Sequence, residues 1–464
     1  MNTLLAITGL GLLCLFFEIA NLRKAIVPFT VVGLLGALGI TIAEYGKTES
    51  HYNNMIVTND FSVSFSALFI VLAVFLIALS GDFYRNVQTK ISDFVSIKLF
   101  LLAGAVAMVS FGNLSMFFLG IEVFSISLYI LAASRRLNIK SNEAGMKYFL
   151  MGSFASGFIL FGICLIYGAI GSFDIAEIAE MTGSAELPSE WFFIGIILLT
   201  IGMLFKIAAV PFHFWAPDVY EGSPTLSTAV MSALAKVVAM ATFFKLLTGM
   251  NVSTAFTNGE ISLKYEMIIM IVSIASMTVG NIMALRQTNV KRILAFSGIS
   301  HAGFMLMTLL NISSSAGTLL YYASAYALAG IAAFAVILYV CREKDNEDVY
   351  NFNGLGKTNP ILAAVLAASL LSMAGIPIFA GFFAKFSLFT QTIQAGYLVM
   401  VIVGVVNSII SVGYYFKIIL AMYTKDATEE APKANFVFYA VGIVSILLNI
   451  ALGLYPTFVL NLIK

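Results

Sequence analysis

Apolar residues arrive in long unbroken runs along this chain, not in the one-on, one-off rhythm of a half-buried strand. Residues 70–79 and 267–277 are samples. A bilayer core of roughly 30 Å takes about 20 apolar residues as a helix, whereas a membrane β-strand alternates over about 10. The runs predict helical crossings at about 3–21, 26–45, 61–80, 93–111, 113–134, 144–171, 191–211, 224–249, 265–285, 294–312, 316–341, 359–395, 397–423 and 435–460. The expected fold is an all-α polytopic membrane protein of about fourteen spans. Span twelve is too long for one straight helix and contains Pro377, so it reads as two half-helices. Span seven runs into Pro211-Phe212-His213-Phe214-Trp215-Ala216-Pro217, which regular helix does not accommodate. Residues 1–21 lack a basic leader and a small-residue cleavage pattern and read as a first spanning helix.

Composition agrees with that reading. Hydrophobic residues make up 60% of the 464 and charged residues 11%, less than half the share of an ordinary soluble domain. The formal net charge of +1 offers no basic surface for nucleic acid. Cys14, Cys164 and Cys341 stand apart in or beside apolar runs, without the spacing of a zinc, haem or iron–sulfur site, and read as small buried hydrophobes. Gly9-Leu10-Gly11 is not preceded by a strand and does not read as a dinucleotide fingerprint.

The placement of charge is more informative than its amount. Fifteen of the 25 Lys and Arg fall in odd-numbered connections (Arg23, Lys24, Arg85, Lys90, Arg135, Arg136, Lys140, Arg286, Lys291, Arg292, Arg342, Lys344, Lys357, Lys425 and Lys433), against only Lys47 and Lys264 in even ones. The positive-inside rule puts the odd connections in the cytoplasm and both termini outside. The segment 174–190, with five acids and no base, falls on the outer side.

Lys464 is terminal, which leaves seven lysines inside apolar runs: Lys98, Lys147, Lys206, Lys236, Lys245, Lys385 and Lys417. Lys98 and Lys245 lie about a turn from a helix end and are expected to snorkel. Glu122 is the one acid near the middle of a span. Each midplane charge costs roughly 2.5–3.5 kcal/mol against lipid, so several together point to an ion or proton pathway. Burial lowers the proton affinity of a lysine and a nearby carboxylate restores it, so a Glu–Lys pair that opens and closes is a proton switch. Sodium would need clustered oxygen ligands, and cations in the helix cores repel it. His213, in the span-seven break, and His301, in Ser297-Gly298-Ile299-Ser300-His301-Ala302-Gly303, are candidate relays near neutral pH. His51 is expected in an outer loop without a role. Lys206 precedes one Pro break and Lys385 follows the other, and Lys236 in span eight corresponds to Lys417 in span thirteen. Spans 4–8 and 9–13 therefore read as inverted five-helix repeats. Four segments follow: 1–92 for the first three helices, 93–249 and 265–423 for the repeat units, and 435–464 for the last helix.

The stretch from Gly202 to Thr225, with Pro211-Phe212-His213-Phe214-Trp215-Ala216-Pro217-Asp218 followed by Val219-Tyr220-Glu221-Gly222-Ser223-Pro224-Thr225, resembles the antiporter-like membrane subunits of respiratory complex I, which are also similar to Mrp-type cation/proton antiporters. The second half of that stretch is most like the N-type subunits of NADH–quinone oxidoreductase. Ser232-Ala233-Leu234-Ala235-Lys236, the His301 motif, Gly375-Ile376-Pro377 and Gly381-Phe382-Phe383-Ala384-Lys385 fit the same family, over roughly residues 100–420. The resemblance implies fourteen helices, inverted repeats and proton translocation driven by quinone reduction elsewhere in a complex. It implies a span-five glutamate at Glu122, its span-seven partner at Lys206, the central lysine at Lys236, the outward residue at Lys385, a span-six lysine at Lys147 and a weaker counterpart at Lys417. Protons would reach Lys236 from the cytoplasm near spans seven and eight, pass His213, His301 and water to Lys385, and leave outward. The resemblance further implies no NADH, flavin or iron–sulfur cluster in this chain. It implies M-type and small K-type membrane-arm subunits and lipid as neighbours, and a bacterial inner membrane as location. A stand-alone Mrp-like cation/proton antiporter is the alternative on the same fold.

Overall fold

Asparagine starts five of the long helices. The side chains of Asn59, Asn113, Asn138, Asn289 and Asn359 each accept a backbone N–H from the first turn, which otherwise has no partner. The computed structural model describes residues 1–84, 91–183, 190–252, 262–311, 315–342, 344, 346–427 and 435–463. Arg85, Lys90, Glu186, Lys433 and Lys464 lie outside the described residues, as does the side chain of Lys264.

The main helices are α1 (Asn2–Ile19), α2 (Arg23–Ala43), α3 (Asp60–Ala78), α4 (Ile91–Ser110), α5 (Leu114–Ala132), α6 (Ile139–Ile170), α7 (Glu190–Lys206), α8 (Thr225–Gly249), α9 (Ser262–Leu285), α10 (Val290–Leu306), α11 (Ala316–Val340), α12 (Pro360–Ala374), α13 (Ala380–Gln394), α14 (Leu398–Thr424) and α15 (Phe436–Leu454). Among the described residues, 12 helices are long and apolar enough to cross a membrane. The expected spans seven and twelve are the broken ones: α7 ends at Lys206, and α12 and α13 divide the other. The chain is a multi-pass, almost wholly helical membrane protein. The exception is a hairpin in the second connection, where β1 (Glu49–His51) pairs antiparallel with β2 (Ile56–Thr58), and His51 meets Glu49 there. A stretch this short carries no alternating signal in the sequence.

Connections expected on opposite faces do gather in two sets. Arg342 pairs with Asp82, Arg135 lies over Phe83, and Lys357 pairs with Asp426, all between odd connections. The amino terminus meets Thr58, Asn54 meets Asp174, and Tyr45 meets the Leu462 carbonyl, all between even connections or termini.

Helices α8, α10 and α11 form the centre, and α11 is buried along its length. Outer helices expose Phe154, Ile409, Val399 and Leu448 to the surroundings, as lipid-facing surfaces do. Close helix contacts use small residues, which let backbones approach without side-chain repulsion. A Cβ on Gly104 of α4 would stand 2.8 Å from the backbone nitrogen of Phe124 in α5, and one on Gly280 of α9 would stand 2.7 Å from that of Ser300 in α10. The cysteine expectation holds for Cys14, which is buried against Thr30, but Cys164 is exposed on the outer face of α6. An apolar surround in sequence is the same for a core and for a lipid face, which explains the difference.

Candidate proton pathway

A broken helix frees backbone groups inside the membrane, and each needs a partner. Beyond α7 the chain turns with Ala208 in the left-handed region, and Trp215 Nε1 donates to the Phe205 carbonyl at 3.2 Å while the Val210 N–H donates to Ser276 Oγ at 2.9 Å. At the second break α12 ends on Gly375, whose φ of +90° is left-handed, and Lys385 of α13 donates to the Ala374 carbonyl at 2.9 Å and to Ser408 Oγ at 2.8 Å. Both lysines of the breaks therefore sit at the carbonyl end of a half-helix, where the backbone dipole favours a cation. Lys206 is in the last turn of α7 and donates to Ser125 Oγ at 2.9 Å and Ser156 Oγ at 3.2 Å.

Lys236 is nearly inaccessible, at 2% exposure, and its ammonium has no hydrogen-bond partner among the described residues. Its Nζ lies 5.5 Å from the centre of the Tyr220 ring, a cation–π contact. The turn that delivers it, Val230–Ala235, is π-helical, a widened turn of the kind found at functional sites. Opposite, Gly298 leaves the room the ammonium fills: a Cβ there would be 2.1 Å from Nζ.

His301 stands one turn beyond Gly298 on α10. Its Nδ1 is 2.8 Å from the Tyr322 hydroxyl, and its Nε2 is 3.3 Å from the Tyr415 hydroxyl, which also bonds Ser297 Oγ. The Tyr326 ring lies 4.7 Å away. His301 is within electrostatic reach of both Lys236 and Lys385. Lys385 in turn sits 5.1 Å over the Phe304 ring. Lys385 and His301 thus share the Phe304 ring, and Lys236 faces Gly298, one turn before His301 on the same buried helix.

The other candidates are placed differently. Glu122 of α5 has one carboxylate oxygen buried without a hydrogen bond among the described residues, and it does not pair directly with Lys206, which faces the two serines instead. His213 is buried near Phe214, and its Nδ1 has no hydrogen-bond partner among the described residues. Lys147 lies elsewhere. Its side chain is 42% exposed and joins Glu143 at 2.8 Å and Asp218 at 3.0 Å, and Arg292 completes that cluster on Asp218. Helix α6 begins at Ile139, so Lys147 is only two turns from its end. Lys417 donates to the Gln287 carbonyl just beyond α9, at 2.8 Å, and caps a helix end. Lys98 does not snorkel: it is buried and donates to Ser80 Oγ at 2.7 Å under the Tyr84 ring. Lys245, half-buried, donates to the Val109 carbonyl near the end of α4.

Sequence reasoning missed Tyr220, Tyr322, Tyr326 and Tyr415. For Tyr322, Tyr326 and Tyr415 the only sequence signal is a polar tip in an apolar run, which a packed core tyrosine shares, whereas Tyr220 lies within the Asp218–Thr225 motif. Among the described residues there is no group of three or more His, Cys, Asp or Glu placed to hold a metal ion.

Residues 112–411 match the family described as the NADH:quinone oxidoreductase/Mrp antiporter transmembrane family. The chain belongs to this family. The family chain named NADH-quinone oxidoreductase subunit N in Flavobacterium johnsoniae is 70% identical over 464 residues, with both chains covered in full. The subunit of the same name in Flavobacterium psychrophilum is 63% identical over 463 residues, again over the whole of both. A chain of respiratory complex I from Thermus thermophilus, solved with bound aureothin, is 28% identical with a TM-score of 0.83, covering 99% of this chain and 98% of that one. A chain of the Mrp complex from a Dietzia species has a TM-score of 0.87 at 21% identity, covering 99% and 95%, and shares the fold.

Proposed function

We infer that this chain is a proton-translocating membrane-arm subunit of a bacterial NADH–quinone oxidoreductase, working beside other antiporter-like membrane subunits while quinone is reduced elsewhere in the complex. One observation carries the reading. Three buried ionisable groups, Lys236, His301 and Lys385, lie in the centre of a bilayer-spanning protein, and His301 is bonded through both ring nitrogens. Burying such groups is costly, and a packing role does not call for an ammonium without a partner.

The residues take the following parts. Lys236 holds a proton at Nζ. His301 passes it sideways, accepting at one ring nitrogen and releasing from the other, with Tyr322 and Tyr415 fixing the ring and closing the gaps. Lys385 receives it beside the carbonyl end of α12 and releases it outward. Glu122 and Lys206 form the control. In this structure Lys206 is turned to Ser125 and Ser156; a charge change in a neighbouring subunit draws Glu122 and Lys206 together and alters the field on Lys236. Moving one charge against the membrane potential takes about 2.3 kcal/mol per 100 mV, within the range of a single buried ion pair closing. His213 lies in the break between Lys206 and Lys236 and serves that coupling. Lys147 and Lys417 hold the rim of the pathway through their ion-pair and carbonyl contacts.

Segments 93–249 and 265–423 act as the inverted units. Each contains one broken helix with a lysine at the carbonyl end of its half-helix, and each brings its first two helices together through a buried glycine. The clustering of basic connections on one face supports a cytoplasmic position for that face, with both termini outside.

The test is Lys236→Ala in the intact complex, assayed in inverted membrane vesicles. Protons moved per NADH oxidised should fall while the complex still assembles. An unchanged ratio refutes the assignment.

A further inference from the structure

On the face that gathers the odd-numbered connections, a cavity of about 250 Å³ opens beside the start of α8. Lys291, Glu347, Ser223 and Thr225 line it, with Arg342 and Lys140 nearer its rim. Lys291 is buried, and its ammonium binds the Glu347 carboxylate at 2.7 Å and the carbonyls of Glu221 and Ser223 at 3.0 and 2.9 Å. Thr225 Oγ1 donates to the same Glu347 oxygen at 3.1 Å. The Ser223 hydroxyl is buried here without a hydrogen-bond partner among the described residues. Glu347 therefore has one side in a polar cavity and the other on the first residue of the helix that carries Lys236.

From Thr225 the polar residues Thr228, Ser232 and Lys236 follow at three, seven and eleven positions, the spacing of one helix face, and all are buried. The Ser232 hydroxyl lies beside the phenols of Tyr220 and Tyr326, and the Tyr220 ring is the one that faces the Lys236 ammonium.

We propose that this cavity is the mouth through which protons reach Lys236, with Glu347 collecting them and Lys291 holding the mouth shut between transfers. The proposal rests on the proton-translocating reading above. With Glu347 ionised, Lys291 binds it and Thr225 donates to it. A proton from the cavity forms an O–H bond on the carboxylate and removes its charge. The ion pair loosens, while Lys291 keeps its two carbonyls. The new O–H then donates to Thr225 and reverses that hydrogen bond. Inward transfer breaks the Glu347 O–H bond and forms an N–H bond on the neutral Lys236 amine. Each hydroxyl or water between them gives one proton and takes one. Glu347 returns to carboxylate, and Lys291 closes on it again.

The experiment compares Glu347→Gln, Glu347→Asp and Thr225→Val with Lys236→Ala in the whole complex, in inverted vesicles, reading protons moved per NADH. Blue native gels report assembly. Glu347→Gln and Thr225→Val should lose the same part of the ratio as Lys236→Ala, and Glu347→Asp should restore at least half of it. Thr225→Val keeps the side-chain volume and removes only the hydroxyl, so it decides the matter if Glu347→Gln fails to assemble. Normal ratios in Thr225→Val and in assembled Glu347→Gln, beside a reduced ratio in Lys236→Ala, overturn the mouth and leave the pathway standing. A normal ratio in Lys236→Ala overturns the functional reading itself.

Discussion

Replacing Gly298 by alanine tests the geometry of the Lys236 chamber without touching an ionisable group. The added Cβ would lie 2.1 Å from Lys236 Nζ, 3.1 Å from its Cε and 3.0 Å from the Tyr326 hydroxyl. Ordinary contact begins near 3.4 Å, so Nζ has to retreat by about 1.3 Å. The obstructing atom is the free end of a flexible chain, so the helices need not part. Alanine also favours the α10 helix by about 1 kcal/mol over glycine. The fold is therefore expected to survive, with overpacking limited to about 1–3 kcal/mol. The function is expected to suffer, because a displacement of about 1 Å at a reacting group costs on the order of a hundredfold in rate. The assay is the proton-to-NADH ratio of the assembled complex in inverted vesicles, with assembly followed on native gels. Gly298→Ala should assemble at the normal level and match Lys236→Ala in lost pumping. Normal pumping in an assembled Gly298→Ala complex would show that the position of this ammonium is not critical.

Three further outcomes follow from the same contacts. Tyr415→Phe removes the hydroxyl shared by His301 and Ser297, and should cost about 1–3 kcal/mol of local stability together with part of the pumping ratio, read by vesicle assay and thermal melting. Lys385→Met leaves the Ala374 carbonyl without its cation, and should abolish this subunit's pumping contribution, whereas Lys385→Arg should keep part of it. Lys147→Ala breaks contacts on a solvent-exposed rim, where such pairs are worth about 0–1 kcal/mol, so assembly and pumping should change little; a loss as large as that of Lys236→Ala would return Lys147 to the central group.

Much of the candidate site was legible before folding was considered. A bilayer makes charge expensive, so lysines in apolar runs stand out, and Lys236 and Lys385 are buried, with Lys206 half-buried, beside helix breaks or a widened turn. The linear pattern did not foretell where Lys147 and Lys98 point. The apolar run around Lys147 begins only at the rim of α6, and Lys98 turned inward to Ser80. Which way a side chain points near a helix end is set by its neighbours, and a linear pattern does not contain them.

The sequence by itself determined the class, the two breaks and the division of basic residues between two faces, because hydrophobic thickness, proline and charge act locally along the chain. The tertiary structure alone decided what each charge meets. Tyr415 reaches His301 across 114 positions, and Lys291 reaches Glu347 between two separate connections. It also widened the turn before Lys236 and left Gly298 facing it, a fit between α8 and α10. Proton transfer works over single hydrogen bonds, so its path is fixed by contacts that exist only once the helices are packed.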